Sequence, residues 1–361
     1  MKKSPILSGM ASELERAKQP QARIRGSVDC FASLAMTVFV GVFVAVGVSV
    51  GVAAFAASTA RAADTFKYGV VEAKGDAGIL FMPAKFGPKY GIDIQMVQFA
   101  SSNTPLKALI SGDIDAFATT PSVPLTALGA GAKVKFVGCN WPGATYALYT
   151  AADITSIAQL KGKSIAVSGP GSMPDLFARV AIQQGGLKPN QVVFANSGGG
   201  SDRFKALAAG VVKATATSTE FAPEAEKRGL HLLVSANTAT PNFARNCIVT
   251  SDRVIATRRD ALVRFLAATI DGTGFAMSHR AETVALSREA AKLAPEDTSP
   301  EFIFDEATAQ HSVDPQLAMD KVKLQWVEDQ LAANDAIDEA ADVAKYIDDA
   351  PRQDALKLVK P

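Results

Sequence analysis

Two stretches of equal length decide the fold: KALISGDIDAFAT at 107–119 and KALAAGVVKATAT at 205–217. They align without a gap and agree at seven positions, three of them Ala. The offset of 98 residues persists beyond them. Gly131, ahead of the apolar run 133–138, matches Gly229, ahead of the run 231–234. A helix–Gly–strand–turn–helix–Gly–strand unit is therefore expected twice, as two similar α/β lobes.

Outward from these stretches, β-rich runs alternate with helical patterns. Strands are expected at Phe66–Val71, Ile92–Phe99, Ile114–Ala118 and Lys133–Gly138, with helices at Ala77–Tyr90, Pro105–Ser111 and Pro121–Ala130. The pattern restarts with a strand at Ser164–Ser168 and a helix at Pro174–Gln184. It continues with Val192–Phe194, a helix at Asp202–Ala209, then Val211–Thr217 and His231–Val234. This rhythm predicts parallel sheets with helices on their faces. Beyond Asp252 the chain reads almost wholly helical.

Residues 1–62 stand apart. Phe31–Ala60 carries no charge, follows a segment holding Lys2, Lys3, Arg16, Lys18, Arg23 and Arg25, and leads into Ala60-Arg61-Ala62. Small residues at −3 and −1 predict a signal peptide cleaved after Ala62. The apolar run is also long enough to stay uncleaved as a membrane anchor, which takes ~20 residues. Both readings export the remainder. That remainder is slightly acidic, which argues against a nucleic-acid partner. Three cysteines and three histidines exclude a disulfide scaffold and a zinc-finger array. Cys139 and Cys247 can pair in an oxidising compartment. Nothing in the sequence brings their Cα atoms together, so two separately buried thiols are expected.

In open α/β sheets a ligand sits beyond the carboxyl ends of the strands. Thr104-Pro105 and Thr120-Pro121 read as a capping hydroxyl before a first-turn proline. Ser172-Met173-Pro174-Asp175, after Gly169 and Gly171, reads as a capping box. Ser201 precedes a further helix after Gly198-Gly199-Gly200. Such turns offer backbone N–H groups to an anionic or polar group. Thr119-Thr120 of the first unit corresponds to Thr217-Ser218 of the second. Facing lobes would set these hydroxyls on either side of one cleft. Glu72, Asp76 and Glu220 could hold an amino or ring N–H group. Trp141, Tyr146 and Tyr149 sit between the units, where they either cap an organic ligand or fill the core between lobes.

Four further segments carry a family resemblance: PAKFGPKYGIDIQMVQF at 83–99, ALISGDIDAFATT at 108–120, IAQLKGKSIAV at 157–167 and ADVAKYIDDAPRQDALK at 341–357. With Ala147–Tyr149 as a crossing strand, residues 64–357 resemble periplasmic solute-binding proteins of ABC importers. The branch is the nitrate/sulfonate/taurine one, which also includes thiamine-pyrimidine binders. The resemblance implies a periplasmic-binding-protein type II-like fold of two α/β lobes joined by crossing strands near 139–150 and 235–250. Lobe 1 would comprise 63–145 and 240–361, with the C-terminal helices, and lobe 2 residues 146–239. Family contacts would fall on Gly75–Gly78, Ser101–Asn103 (Ser101, Ser102, Asn103), Thr119–Pro121, Gly169–Met173 (with Gly171, Ser172 and Met173) and Ser218–Glu220. Two departures stand out: Lys213, where the family often has Asp, and Thr219 before Glu220, where it often has an aromatic residue. Arg203 and Arg245 lie near the cleft by sequence but form no obvious pair.

The function so implied is capture of a small polar organic or oxyanion solute in the periplasm by lobe closure, and its delivery to an inner-membrane ABC permease. A monomer without metal or cofactor is expected. Two alternatives are an enzyme on the same scaffold and a membrane-tethered sensor. A pyrimidine-synthase relative uses a cysteine-rich motif and a consumed histidine. No such cluster occurs here, and His231, His279 and His311 are scattered. Nor does the chain beyond Ala62 contain G-x-S-x-G, H-E-x-x-H or a P-loop.

Overall fold

The computed structural model describes residues 64–71, 77–99 and 104–359. The N-terminal segment read as a signal peptide or anchor lies outside them. Two five-stranded sheets form the frame. The first contains β1 (Asp64–Val71), β2 (Ile92–Phe99), β3 (Ala116–Thr119), β4 (Val134–Trp141) and β10 (Asn246–Ser251), in the order β2-β1-β3-β10-β4. The second contains β5 (Tyr146–Thr150), β6 (Ser164–Val167), β7 (Val193–Asn196), β8 (Ala214–Ser218) and β9 (His231–Ser235), in the order β7-β6-β8-β5-β9. The chain passes between sheets through 142–145 and returns through 240–245.

The fold is the expected two-lobed α/β type, and the repeat holds at the level of topology. β3 and β8 begin 98 residues apart and take the same third place in their sheets. The sheets are mixed rather than parallel. β10 runs antiparallel to β3 and β4, and β5 antiparallel to β8 and β9. The cause is connectivity. Both strands belong to the crossings between lobes, so neither follows the strand–helix–strand path that makes neighbours parallel.

The expected helix Ala77–Tyr90 is broken into Ala77–Leu80, a π-turn Met82–Phe86 and Gly87–Lys89. Pro83 and Pro88 have no N–H to give to an intrahelical bond. The Phe86 N–H reaches back five residues, to the Phe81 carbonyl at 3.3 Å. Gly78 lets this segment approach the long helix Arg259–Ser278. A Cβ at Gly78 would lie 3.0 Å from the Thr273 Cα, and one at Gly272 would lie 2.9 Å from the Gly78 carbonyl oxygen.

That long helix covers the first sheet. Phe265 stacks on Phe66 with ring centroids 4.4 Å apart and lies against Tyr68 at 4.8 Å. The second lobe has a smaller cluster of Ala147, Tyr149, Ala166, Phe204, Leu207, Val212 and Ala225. The separately buried thiols are corrected: Cys139 and Cys247 form a disulfide. The reason is strand pairing. β4 and β10 are antiparallel neighbours, and the register shifts between Asn246 opposite Trp141 and Ile248 opposite Gly138, which sets Cys247 beside Cys139.

Candidate functional site

The carboxyl edges of β3 and β4 carry Thr119 and Trp141, on the two strands flanking β10. Thr119 lies opposite Cys247 and is 4% exposed. Its hydroxyl is buried without a hydrogen-bond partner, and so is the Trp141 indole N–H. Unmet buried donors of this kind cost stability unless another group meets them, which makes this edge a candidate binding surface. Thr120 reaches only the Ser122 hydroxyl, at 3.2 Å. It caps no helix, because Pro121 occupies the N-cap of Ser122–Gly129.

The matching edge of the second sheet gathers Tyr146, Ser218 and Glu220. Tyr146 pairs with Ser218 across the β5–β8 ladder. The Ser218 hydroxyl accepts the Glu220 N–H at 3.5 Å, and both residues are buried. Gly171, Ser172 and Met173 follow β6 on the same edge. The capping box expected there is not formed. The Ser172 hydroxyl donates to the Gly169 carbonyl at 2.7 Å, and Asp175 Oδ2 accepts the Gly171 N–H at 2.9 Å and Arg179 Nε at 3.0 Å. Asp175 Oδ2 thus takes the Gly171 N–H in place of the Ser172 N–H that a capping box would give it, and the Ser172 hydroxyl is turned to the Gly169 carbonyl rather than to the Asp175 N–H. Asp175 Oδ1 is buried without a partner. Helix Gly200–Ala208 starts from Gly199, so Ser201 lies inside it. Thr104 likewise is the first residue of Thr104–Ser111 rather than a flanking cap. Glu72, Asp76, Ser101, Ser102 and Asn103 lie outside the described residues.

Arg203 gives this edge its charge. It is 2% exposed. Its Nε donates to the Ala216 carbonyl at 3.0 Å, Nη1 to the Gly198 carbonyl at 2.7 Å, and Nη2 to the Tyr146 hydroxyl at 3.4 Å. No carboxylate among the described residues pairs with it. A buried guanidinium held only by neutral oxygens keeps most of its charge available to an anion. The sequence reading noted Arg203 but did not place it in the site. Its signal was the Gly198-Gly199-Gly200 turn, which brings the chain back over the end of β8.

The aromatic residues divide. Tyr149 is core: its ring meets Phe204 edge-on at 6.0 Å and its hydroxyl donates to the Ser218 carbonyl at 3.2 Å. Burial, with Glu306 and Glu220 nearby, pushes its phenol well above the ordinary range. Trp141 lies under the Arg245 guanidinium, 4.2 Å from the ring centroid. Lys213, one of the family departures, pairs with Asp153 at 2.8 Å at the start of β8, the end opposite the candidate site. The residue before Glu220 has a role: Thr219 bonds Thr145 and Glu306. Thr145 and Glu306 escaped the sequence reading, and no local motif announces either.

A match to the protein family described as NMT1/THI5 like spans residues 88–283, more than half of the chain. The chain belongs to that family. Among curated proteins, none matches the sequence. Among solved structures, this NMT1/THI5-like chain is similar to the periplasmic aliphatic sulphonate binding protein SsuA of Escherichia coli. That match has 20% identity and a TM-score of 0.64, over 79% of this chain and 92% of that one. It is also similar to the alkanesulfonate-binding SsuA of Xanthomonas axonopodis pv. citri bound to MOPS, at 20% identity and TM-score 0.66, covering 79% and 98%. The desulfurization enzyme DSZB, as a C27S mutant with biphenyl-2-sulfinic acid, matches at 17% identity and TM-score 0.62, covering 82% and 99%. These likenesses establish the fold, and the family match agrees with the resemblance carried by the sequence. Among the described residues of the NMT1/THI5-like chain, no group of His, Cys, Asp and Glu could hold a metal ion, and no helix is long and apolar enough to cross a membrane.

Proposed function

We propose that the protein is the extracytoplasmic solute-binding component of an ABC importer. It captures a small anionic or polar organic solute of the nitrate, sulfonate, taurine or pyrimidine type between its lobes, and hands it to an inner-membrane permease. The observation that carries this reading is the pair of orphaned buried donors, the Thr119 hydroxyl and the Trp141 indole N–H, at the carboxyl edge of the first sheet. Arg203, buried and unpaired with any carboxylate among the described residues, supports an anionic group on the solute. Glu220 and Tyr146 on the same edge favour a polar or amino group at its other end. The domain division read from the sequence, 63–145 with 240–361 against 146–239, follows the same reading, because each sheet then closes on its own lobe. Binding rather than turnover is supported by the disulfide, which leaves neither Cys139 nor Cys247 as a thiol nucleophile.

The test is a thermal-shift screen of the exported protein against MOPS, taurine, other alkanesulfonates, nitrate and aminopyrimidines, with product analysis of each mixture. A ligand at 100 times its dissociation constant adds about 2.7 kcal/mol to stability. A shift by one class without product supports the reading. Turnover of any solute, or no shift across the whole panel, overturns it. N-terminal sequencing of the exported protein tests the address: a start at Ala63 fits a free carrier, and an intact Met1 fits a tether.

A further inference from the structure

Helix Ser299–Ala309, in the C-terminal helical part of the chain, packs on the first lobe. It lies on helix Arg280–Ala291, which lies on Ala77–Leu80. Arg280 pairs with Asp305 at 2.7 Å, and Arg288 with Glu301 at 2.7 Å, which fixes the helix on that side. Its other side reaches the second lobe. Glu306 accepts a hydrogen bond from the Thr219 hydroxyl through Oε2, and one from Gln310 Nε2 at 3.2 Å through Oε1. Thr219 is itself tied to the first crossing segment: its N–H donates to the Thr145 carbonyl at 3.1 Å, and its hydroxyl lies 3.3 Å from the same oxygen. The Thr145 hydroxyl accepts from Arg245 Nη1, in the second crossing segment, at 2.5 Å. Arg245 in turn lies over Trp141.

Four segments thus meet within one hydrogen-bonded chain: both crossings, the turn after β8 and a helix anchored on the opposite lobe. Thr219 stands between Ser218 and Glu220, the two candidate contacts at that turn, so a solute seated there pushes directly on the chain. Burial raises the Glu306 carboxyl above its ordinary value against the pull of Thr219, Gln310 and Arg245. Glu220 and the Tyr149 phenol are the other titratable groups beside it on the second lobe.

We propose that Glu306, Thr219, Thr145 and Arg245 form a latch that sets the angle between the lobes. Its purpose rests on the solute-binding reading above, but its existence does not. The experiment places nitroxide labels at Lys133→Cys and Lys205→Cys, one on each lobe, with the native disulfide intact. Interlobe distances are then measured by electron–electron double resonance. Thr219→Val removes both bonds of its hydroxyl, and Glu306→Gln keeps an acceptor but removes its charge. The expected result is a distribution broadened and shifted by Thr219→Val, and by a smaller amount in Glu306→Gln. Distributions that superimpose for all three proteins overturn the latch. MOPS is added as the probe solute in a second set. If it leaves the native protein's distances and melting temperature unchanged while the variants still broaden, the latch stands and the sulfonate form of the solute-binding reading fails. If it shifts the melting temperature and the variants superimpose, the reverse holds.

Discussion

In the first lobe β10 lies between β3 and β4; in the second, β5 lies between β8 and β9. Strand order is shared, and what secures the inserted strand is not. β10 is covalently joined to β4 through Cys139–Cys247, and its Ile248 belongs to the same large buried cluster as Phe66 and Phe265. β5 is held by ladder hydrogen bonds over a cluster rich in alanine, with Thr150, Thr215 and Thr217 buried around it. Large interdigitated side chains and a cross-link resist deformation. The smaller cluster under β5, which still contains Tyr149 and Phe204, has no cross-link beside it. A duplicated architecture is thus secured unequally: the first lobe has a cross-link and the larger buried cluster, the second neither.

The largest effect expected is on the first core. Phe265→Ala should cost about 3–5 kcal/mol in urea unfolding. A cost below about 1 kcal/mol would remove the claim that this stack underlies the rigid lobe. Next, Cys139→Ala with Cys247→Ala should cost about 2–4 kcal/mol. Amide exchange should accelerate in β4 and β10 while β6 and β8 keep their protection. Equal acceleration in both sheets would show that the cross-link does not act on one lobe alone.

A finer comparison uses Thr119 and Thr217, which hold equivalent places in the repeat. The Thr217 hydroxyl donates to the Gly200 carbonyl at 3.3 Å, whereas that of Thr119 is unmet. Thr217→Val should therefore destabilise by about 1 kcal/mol, and Thr119→Val should be neutral or stabilising by up to about 1 kcal/mol. Thr119→Val should also weaken capture of whichever solute shifts the melting temperature. Changes of the same sign in the two variants would end the assignment of Thr119 to the cleft.

The smallest effect concerns Glu306. Its carboxyl is raised above the ordinary 4.5 by burial, so the folded state binds that proton more tightly than the unfolded chain. Ionisation then costs the folded state nothing below about pH 4.5, and the cost grows as pH rises through the elevated value. Glu306→Gln should gain melting temperature relative to the native protein between pH 4 and pH 7. A difference that stays flat or falls over that range contradicts the burial argument.

The sequence by itself determined the two-lobed α/β plan. Hydrophobic periodicity is a local property, and the 98-residue offset compares two local patterns; together they located β2 to the residue and β3 and β8 within two or three. The same local signals placed glycine- and hydroxyl-rich turns at the ends of β3, β6 and β8, where Thr119, Gly171 and Ser218 stand. Only the tertiary structure decided the antiparallel strands, the disulfide and the Glu306–Thr219 contact. The partners in these pairs are far apart in the chain: 108 residues separate Cys139 from Cys247, and 87 separate Thr219 from Glu306. Whether such groups meet depends on strand register and helix packing, which pattern and propensity do not encode. The capping box at Ser172 failed on a smaller scale, because the Ser172 hydroxyl turned to the Gly169 carbonyl and the Asp175 carboxylate to the Gly171 N–H and Arg179.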